Sequence, residues 1–337
     1  MNDYLWDRTG RDAEVEQIEN LLAPYRHIDQ QLEFREPPLS PAKWASRRYY
    51  FASATAAVLI IVAVISWHTT SSKQRITATA IIGAPRIDEV PMASASLDVG
   101  SRIETGFLDR VRIQVGDMGW VQVEPDSILR LIENRPERRR FRLEHGEILA
   151  RISAPPAAFI VETPVARAID LGCTYHLRFS QSGEGAIEVT EGWVEVDRGF
   201  EQTLVPAGAS ANFRPRGISP SYMQKTSPEF RDAMLEWWDS PNPSLRSTAL
   251  ARLLSSATKQ DAYTLLNMLH RSPPEDRAGI YDRLNQLVPA PREVSRAAVL
   301  AGEARAEDAW WTVVERELGL GNIKKKGPLQ LNPYWPQ

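Results

Sequence analysis

The stretch Arg110–Val123 reads RVRIQVGDMGWVQV, and its pattern decides the fold of the largest part of the chain. Valine and isoleucine alternate with arginine and glutamine over residues 110–115, and valine alternates with glutamine again over residues 121–123. A period of two residues places successive side chains on opposite faces of a β-strand. The Gly-Asp-Met-Gly segment between the two runs is typical of a turn. The stretch therefore predicts two strands joined by a turn.

Short segments with the same alternation recur along the chain, and Gly, Pro, Asn and Asp separate them at intervals of about eight to twelve residues. This spacing is typical of an all-β sandwich, barrel or roll, and no helix of useful length fits between residues 75 and 222. We therefore expect an all-β domain, sandwich-like or roll-like, over residues 75–222. The further predicted strands are Phe141–Leu143, Ile148–Ile152, Phe159–Val161, Tyr175–Phe179, Ala186–Val189, Trp193–Val196 and Ala209–Phe213.

The β-rich region also contains seven short fragments that follow recognisable patterns. They are Leu97–Thr105, Val111–Ser127, Leu143–Glu147, Phe159–Pro164, Leu171–Leu177, Val189–Val196 and Val205–Gly208. Leu97–Thr105 follows L-x-x-G-x-x-I-x-T, Leu143–Glu147 follows L-x-x-G-E, and Val189–Val196 follows V-x-E-G-x-V-x-V. In this order the fragments resemble the FecR-like periplasmic domain. The resemblance implies a FecR-type β fold without a catalytic site, because its glycines and alternating apolar residues serve the scaffold.

An uncharged apolar run, Tyr49–Trp67, precedes the β-rich region. As a helix its nineteen residues would span about 28 Å, close to the hydrocarbon thickness of about 30 Å of a bilayer. Basic residues are more frequent before the run than after it, which predicts a cytoplasmic N-terminus. The alternatives are a buried core helix and a secretory signal peptide. We therefore expect a multidomain protein of the bacterial inner membrane, with a single transmembrane helix over residues 49–67 and a periplasmic C-terminus.

Residues 1–48, the expected cytoplasmic segment, contain one pattern of helical period. Asp12 is a suitable N-cap, and Pro24 ends the pattern. The apolar residues at helical spacing are Val15, Ile18, Leu21 and Leu22. A short amphipathic helix cannot bury such a face alone. We therefore expect these four residues to bind a partner protein, a second copy of the chain or the membrane surface; the alternative is a partly disordered tail.

The period becomes helical again over residues 226–320, which predicts an α-helical C-terminal domain of HEAT-like helix pairs followed by a tail over residues 321–337. The runs that are predicted to open helices are Thr226–Glu229, Asn242-Pro243 and the capping box Ser272–Glu275. Two tryptophan pairs belong either to the core or to a binding face: Trp237-Trp238 and Trp310-Trp311. FecR proteins of the siderophore-sensing type end instead in a small α/β domain, so the resemblance does not imply a role in iron transport.

The composition argues against nucleic-acid binding, metal binding and catalysis. The net charge of −3 lacks the basic excess of a nucleic-acid-binding protein. Cys173 is the single cysteine, and Cys173 and His176 point to opposite faces if they share a strand. No familiar catalytic motif occurs, so we expect no enzyme activity, no cofactor and no metal. The charged run Arg135–Arg140 predicts a hairpin loop that is either solvated or in contact with anionic lipid heads or an acidic partner.

Two functional hypotheses follow. In the first, the chain is a FecR-like transmembrane signalling regulator, an anti-sigma factor by resemblance. It senses a periplasmic or outer-membrane protein and controls an extracytoplasmic-function sigma factor through residues 1–48. In the second, the chain is a membrane-anchored scaffold or adaptor of the cell envelope without a signalling role.

Overall fold

A computed structural model of the chain describes residues 13–23, 75–199, 201–303 and 305–321. The N-terminal helix α1 (Ala13–Leu22) belongs to one compact unit. The residues from Arg75 onward belong to a second unit, in which a large, mostly antiparallel β region is followed by helices.

The β region consists of two sheets that share one strand. In spatial order, sheet A contains β4 (Ser94–Ser96), β1 (Ile76–Ile82), β6 (Arg110–Val115), β7 (Gly119–Val123), the second half of β9 (Arg138–Ile152), β12 (Thr174–Phe179), β13 (Gly185–Glu191), and β16 (Ala209–Arg214) with β17 (Gly217–Ile218) and β18 (Tyr222–Met223) beside it. Sheet B contains β3 (Val90–Pro91), β2 (Arg86–Ile87), β5 (Arg102–Thr105), β8 (Ser127–Arg135), the first half of β9, β10 (Phe159–Glu162), β11 (Arg167–Asp170), β14 (Trp193–Asp197) and β15 (Gln202–Pro206).

The inner faces of the two sheets form one hydrophobic core. The strands predicted from Arg110–Val123 are confirmed as β6 and β7, and their valines and isoleucine point into this core. Sheet B contributes aromatic side chains, of which Phe141 and Phe159 have ring centroids 5.7 Å apart. Arginine and glutamine alternate outward, as the period of two requires.

Strand β9 is the strand that connects the sheets, and it changes sheet at Gly146. Its first half pairs with β8 and β10, and its second half pairs with β7 and β12. Gly146 has φ +102°, and a Cβ atom at this position would lie 2.1 Å from the Oγ of Ser127 and 2.4 Å from its Cα. Glycine is therefore required here both for its backbone conformation and for the close approach of β8.

The C-terminal helices are α2 (Pro228–Asp239), α3 (Pro243–Ser256), a short 3-10 helix (Lys259–Asp261), α4 (Ala262–Arg271), α5 (Pro274–Leu287), α6 (Arg296–Ala301) and α7 (Asp308–Leu318). Ser227 and Asn242 cap α2 and α3, as the sequence predicts, by accepting hydrogen bonds from backbone amides. The predicted capping box at Ser272 is wrong. Ser272 donates a hydrogen bond back to Met268 O at 2.6 Å, and Pro273 occupies the N-cap of α5 without a side-chain bond.

The helices pack directly on sheet B. Leu171 and Trp193 of the β region are buried in the same hydrophobic cluster as the helices. Among the described strands, β15 pairs with β14 alone, and Tyr263 and Asn267 of α4 make hydrogen bonds to it. Tyr263 of α4 donates a hydrogen bond to Leu204 O at 3.1 Å. The boundary predicted between residues 222 and 226 stays a prediction, but the residues on its two sides share one core.

The expected fold class needs one correction, which concerns the transmembrane helix. Tyr49–Trp67 lie outside the described residues. Within the described ranges, no helix is long and apolar enough to cross a membrane. The longest of those helices have 14 residues and span about 21 Å, short of the about 30 Å required. The structure therefore contradicts a fold class built on a single transmembrane helix; the supported class is a large β region followed by helices. The localisation predicted from that helix is not tested.

The bend at Gly146 can be tested with two alanine substitutions. Gly100 has nearly the same φ, +103°, but nothing lies within 4 Å of the position of its missing Cβ. We expect Gly100→Ala to lower the free energy of unfolding by about 1–2 kcal/mol through backbone strain alone. Gly146→Ala should cost about 3–5 kcal/mol or prevent folding, because a clash with Ser127 adds to the strain. Urea denaturation measures both losses, and equal losses would contradict the close approach.

Candidate functional site

Helix α1 carries the residues predicted to bind a partner. Ile18, Leu21 and Leu22 are 57%, 73% and 57% exposed. Positions 18, 21 and 22 fall within about 100° of one another around a helix, so these side chains form one stripe. Val15 lies in the same helix, but its side chain is outside the described set. The role predicted for the four residues stays a prediction.

The stripe has the chemistry of a docking surface for another protein. An isolated helix of ten residues is marginally stable in water, and its stability normally comes from packing of its apolar face. Glu16 is also exposed, and it lies on the opposite side of the helix from the stripe. A groove with apolar walls would therefore cover the stripe and leave Glu16 in solvent.

Three of the fragments quoted above meet at the bend of β9. Buried Thr105 donates a hydrogen bond to Glu124 O at 2.7 Å and accepts one from Ser127 N at 3.0 Å. Ser127 Oγ accepts a hydrogen bond from Glu147 N at 2.8 Å. These contacts hold β5, β8 and β9 together beside Gly146, so the patterned residues act as scaffold. The sequence locates each fragment but does not reveal that they meet.

The cysteine and the histidine do not form a site together. The thiol of buried Cys173 donates a hydrogen bond to the carboxylate of Asp170. The ring Nδ1 of His176 lies 3.2 Å from Glu147 Oε1, on the outer face of sheet A. Within the described parts of the chain, no group of three or more His, Cys, Asp or Glu side chains could hold a metal ion.

The two tryptophan pairs contribute to the helical core. Trp237 donates a hydrogen bond to Asp276 Oδ2 at 3.0 Å, and Trp310 donates one to Val288 O at 3.0 Å. Both indoles are buried, and Trp238 and Trp311 pack against the same cluster with part of their surface exposed. Of the two roles left open by the sequence, the core role therefore applies to Trp237 and Trp310.

Sequence reasoning missed Glu195, which lies on the outer face of β14. Its direct neighbours on β11 and β15 are Ile169 and Leu204. Burial raises the pKa of the Glu195 carboxyl from 4.5 to about 7; the negative charge of Asp197 acts in the same direction, and Arg167 opposes it. The alternation of Trp193, Glu195 and Asp197 along β14 was the available signal, because it places a carboxyl on the same face as a buried indole.

The shifted pKa of Glu195 predicts a dependence of stability on pH. The folded protein binds more protons than the unfolded one between pH 4.5 and about 7, so its stability falls as the pH rises through this window. We expect Glu195→Gln to raise the free energy of unfolding by about 1–3 kcal/mol at pH 8 and to change it little at pH 5.

Urea denaturation at the two pH values measures this difference. Glu188→Gln, which changes a partly exposed glutamate on sheet A, is the control and should alter stability by less than about 0.5 kcal/mol at both. Stabilisation by Glu195→Gln that is equal at pH 5 and pH 8 would contradict the prediction.

Comparison with known families identifies part of the β region. Residues 101–195 match the family described as FecR protein. This span runs from β5 into β14 and includes the hydrogen bonds around Ser127. The resemblance noted in the sequence fragments is therefore confirmed over these residues, and the chain contains a FecR-like domain.

Two solved structures are similar to part of the chain; each is a crystal structure of a proposed anti-sigma factor from Parabacteroides distasonis. The first has 21% sequence identity and a TM-score of 0.32, and the similarity covers 40% of this chain and 64% of that one. The second has 20% identity and a TM-score of 0.32, with coverage of 45% and 73%. The similarity thus spans less than two thirds of the first structure. No curated protein matches the sequence.

Proposed function

We propose that this chain regulates a sigma factor, with the FecR-like domain detecting a protein partner and α1 binding the sigma factor. The match of residues 101–195 to FecR carries the proposal, since FecR-like proteins are regulators by the resemblance given above. The exposed stripe of α1 supports it, because it supplies an apolar binding face of the kind that a regulated protein would cover. In this proposal the chain is a regulator and not an enzyme.

The stripe would contribute part of the binding energy for such a role. Burial of one leucine or isoleucine side chain contributes about 1.5–3 kcal/mol, so three contribute about 5–9 kcal/mol. Ordering of the short helix and loss of overall motion oppose this gain. A micromolar affinity needs about 8 kcal/mol net, so the groove must add further apolar or polar contacts to the stripe. We propose that the partner is a sigma factor of the extracytoplasmic-function type.

The proposal predicts that binding depends on the stripe and not on the rest of α1. Leu21→Ala removes the most exposed side chain of the stripe and should weaken sigma binding about 30-fold, equivalent to about 2 kcal/mol. Glu16→Ala, on the opposite side of the helix, should leave the affinity within about twofold. Isothermal titration of the full chain against each extracytoplasmic-function sigma factor of the host measures both effects.

Deletion of residues 11–24 should abolish the interaction altogether. If no sigma factor binds the intact chain, or if Leu21→Ala and Glu16→Ala weaken binding equally, the assignment of α1 as the sigma-binding element fails.

A further inference from the structure

Three arginines lie side by side on the outer face of sheet B. The strand register makes Arg102 of β5 the direct neighbour of Arg130 of β8, and Arg130 the direct neighbour of Arg142 of β9. Neighbouring strands are about 4.8 Å apart, so the three guanidinium-bearing side chains form a row about 10 Å long. Glu162 of β10 continues the row beyond Arg142.

This arrangement carries a cost for folding, because like charges directly opposite one another destabilise a sheet. Carboxylates reduce the cost: Glu144 Oε1 lies 3.1 Å from Arg130 Nε, and Glu162 Oε2 lies 3.0 Å from Arg142 Nη2. The side chains of Arg102, Arg130 and Arg142 are 26%, 36% and 47% exposed, so a ligand can reach them.

The surrounding ion pairs do not neutralise this surface. In the hairpin formed by β8 and β9, three arginines share the single carboxylate of Glu133. Burial tends to raise the pKa of Glu133, but a hydrogen bond from Arg138 and the charges of all three arginines hold it below 4.5. In the ion pairs on this surface, six arginines share four glutamates. The six are Arg102, Arg130, Arg135, Arg138, Arg140 and Arg142, and the four are Glu104, Glu133, Glu144 and Glu162.

We propose that this arginine face binds an acidic segment of a protein partner. The planar guanidinium donates two parallel hydrogen bonds that match a carboxylate, which gives such pairs both energy and orientation. Carboxylates on alternate residues of an extended chain are about 6.8 Å apart, within the length of the row. The glutamates interrupt the positive charge of the face, so the face matches separate carboxylates better than the continuous negative charge of a nucleic acid or a lipid surface.

The arginine face lies within the FecR-like span. The proposal gives the chemistry of the protein partner that the proposed function requires at this domain, and in that respect it rests on the proposed function. Its test is nevertheless separate. Binding of an acidic segment needs neither α1 nor a sigma factor, so one proposal can fail while the other stands.

The test uses the full chain and a fluorescein-labelled peptide of sequence Gly-Asp-Val-Asp-Val-Asp-Val-Asp-Gly. Arg142→Gln is the test variant, because Arg142 is 47% exposed and Glu162 keeps a second arginine, Arg140, at 3.3 Å when Arg142 is lost. Arg178→Gln on the outer face of sheet A is the matched control. In the wild-type chain Arg178 is 54% exposed and also pairs with one glutamate, Glu188, at 2.9 Å.

Fluorescence anisotropy should show that the wild-type chain binds the aspartate peptide and not its asparagine counterpart, with an affinity that falls as salt is added. Arg142→Gln should weaken binding about fivefold, and Arg178→Gln should leave it unchanged. The thermal unfolding midpoint of Arg142→Gln should stay close to that of the wild type, because loss of the like-charge contact with Arg130 offsets loss of the ion pair with Glu162.

Three results would overturn the proposal: no peptide binding by the wild-type chain, equal losses in the two variants, or tighter binding of phosphatidylglycerol vesicles or single-stranded DNA than of the peptide at the same face. A clear loss of stability in Arg142→Gln would likewise assign this arginine to the scaffold.

Discussion

The contact between Gly146 and Ser127 is the constraint on which the β region depends. Strand β9 has 15 residues and is hydrogen-bonded in sheet B at its start and in sheet A at its end. The change of sheet is possible only where the backbone can turn tightly against β8. Because the serine hydroxyl also accepts the amide of Glu147, the bend is held by a hydrogen bond as well as by shape. The bend therefore fixes the position of the two sheets relative to each other, and their inner faces enclose one core.

Alternation along the chain was sufficient to predict individual strands, but it failed at the bend. The sequence suggested separate strands at Phe141–Leu143 and Ile148–Ile152, with a turn between them. In the structure the strand continues, and the polar residues between the two apolar runs lie where the inner side of the strand changes from one sheet to the other. A change of sheet and a turn both interrupt a period of two, so the sequence does not distinguish them. The capping box predicted at Ser272 was wrong for a related reason. Its hydroxyl makes a hydrogen bond to the end of the preceding helix and not to the start of the next.

The candidate surfaces also differ in whether the sequence alone could predict them. The stripe of α1 could be predicted because its residues are three and four positions apart, and a helix brings such positions together by its own geometry. The row of Arg102, Arg130 and Arg142 could not be predicted in this way, because it depends on the register of three strands that are distant in the chain. The environment of Glu195 likewise depends on neighbours contributed by β11 and β15. Local periodicity thus identifies surfaces made by one element and misses those made by pairing.

The C-terminal helices fill a core and also cover one edge of sheet B. Strand β15 would otherwise present a row of unpaired backbone groups, and the hydroxyl of Tyr263 takes up one of them, the carbonyl of Leu204. A bare edge of this kind is a template on which strands from neighbouring molecules can add. The last third of the chain thus covers this edge of the sheet, where a strand from a neighbouring molecule would otherwise find unpaired backbone groups.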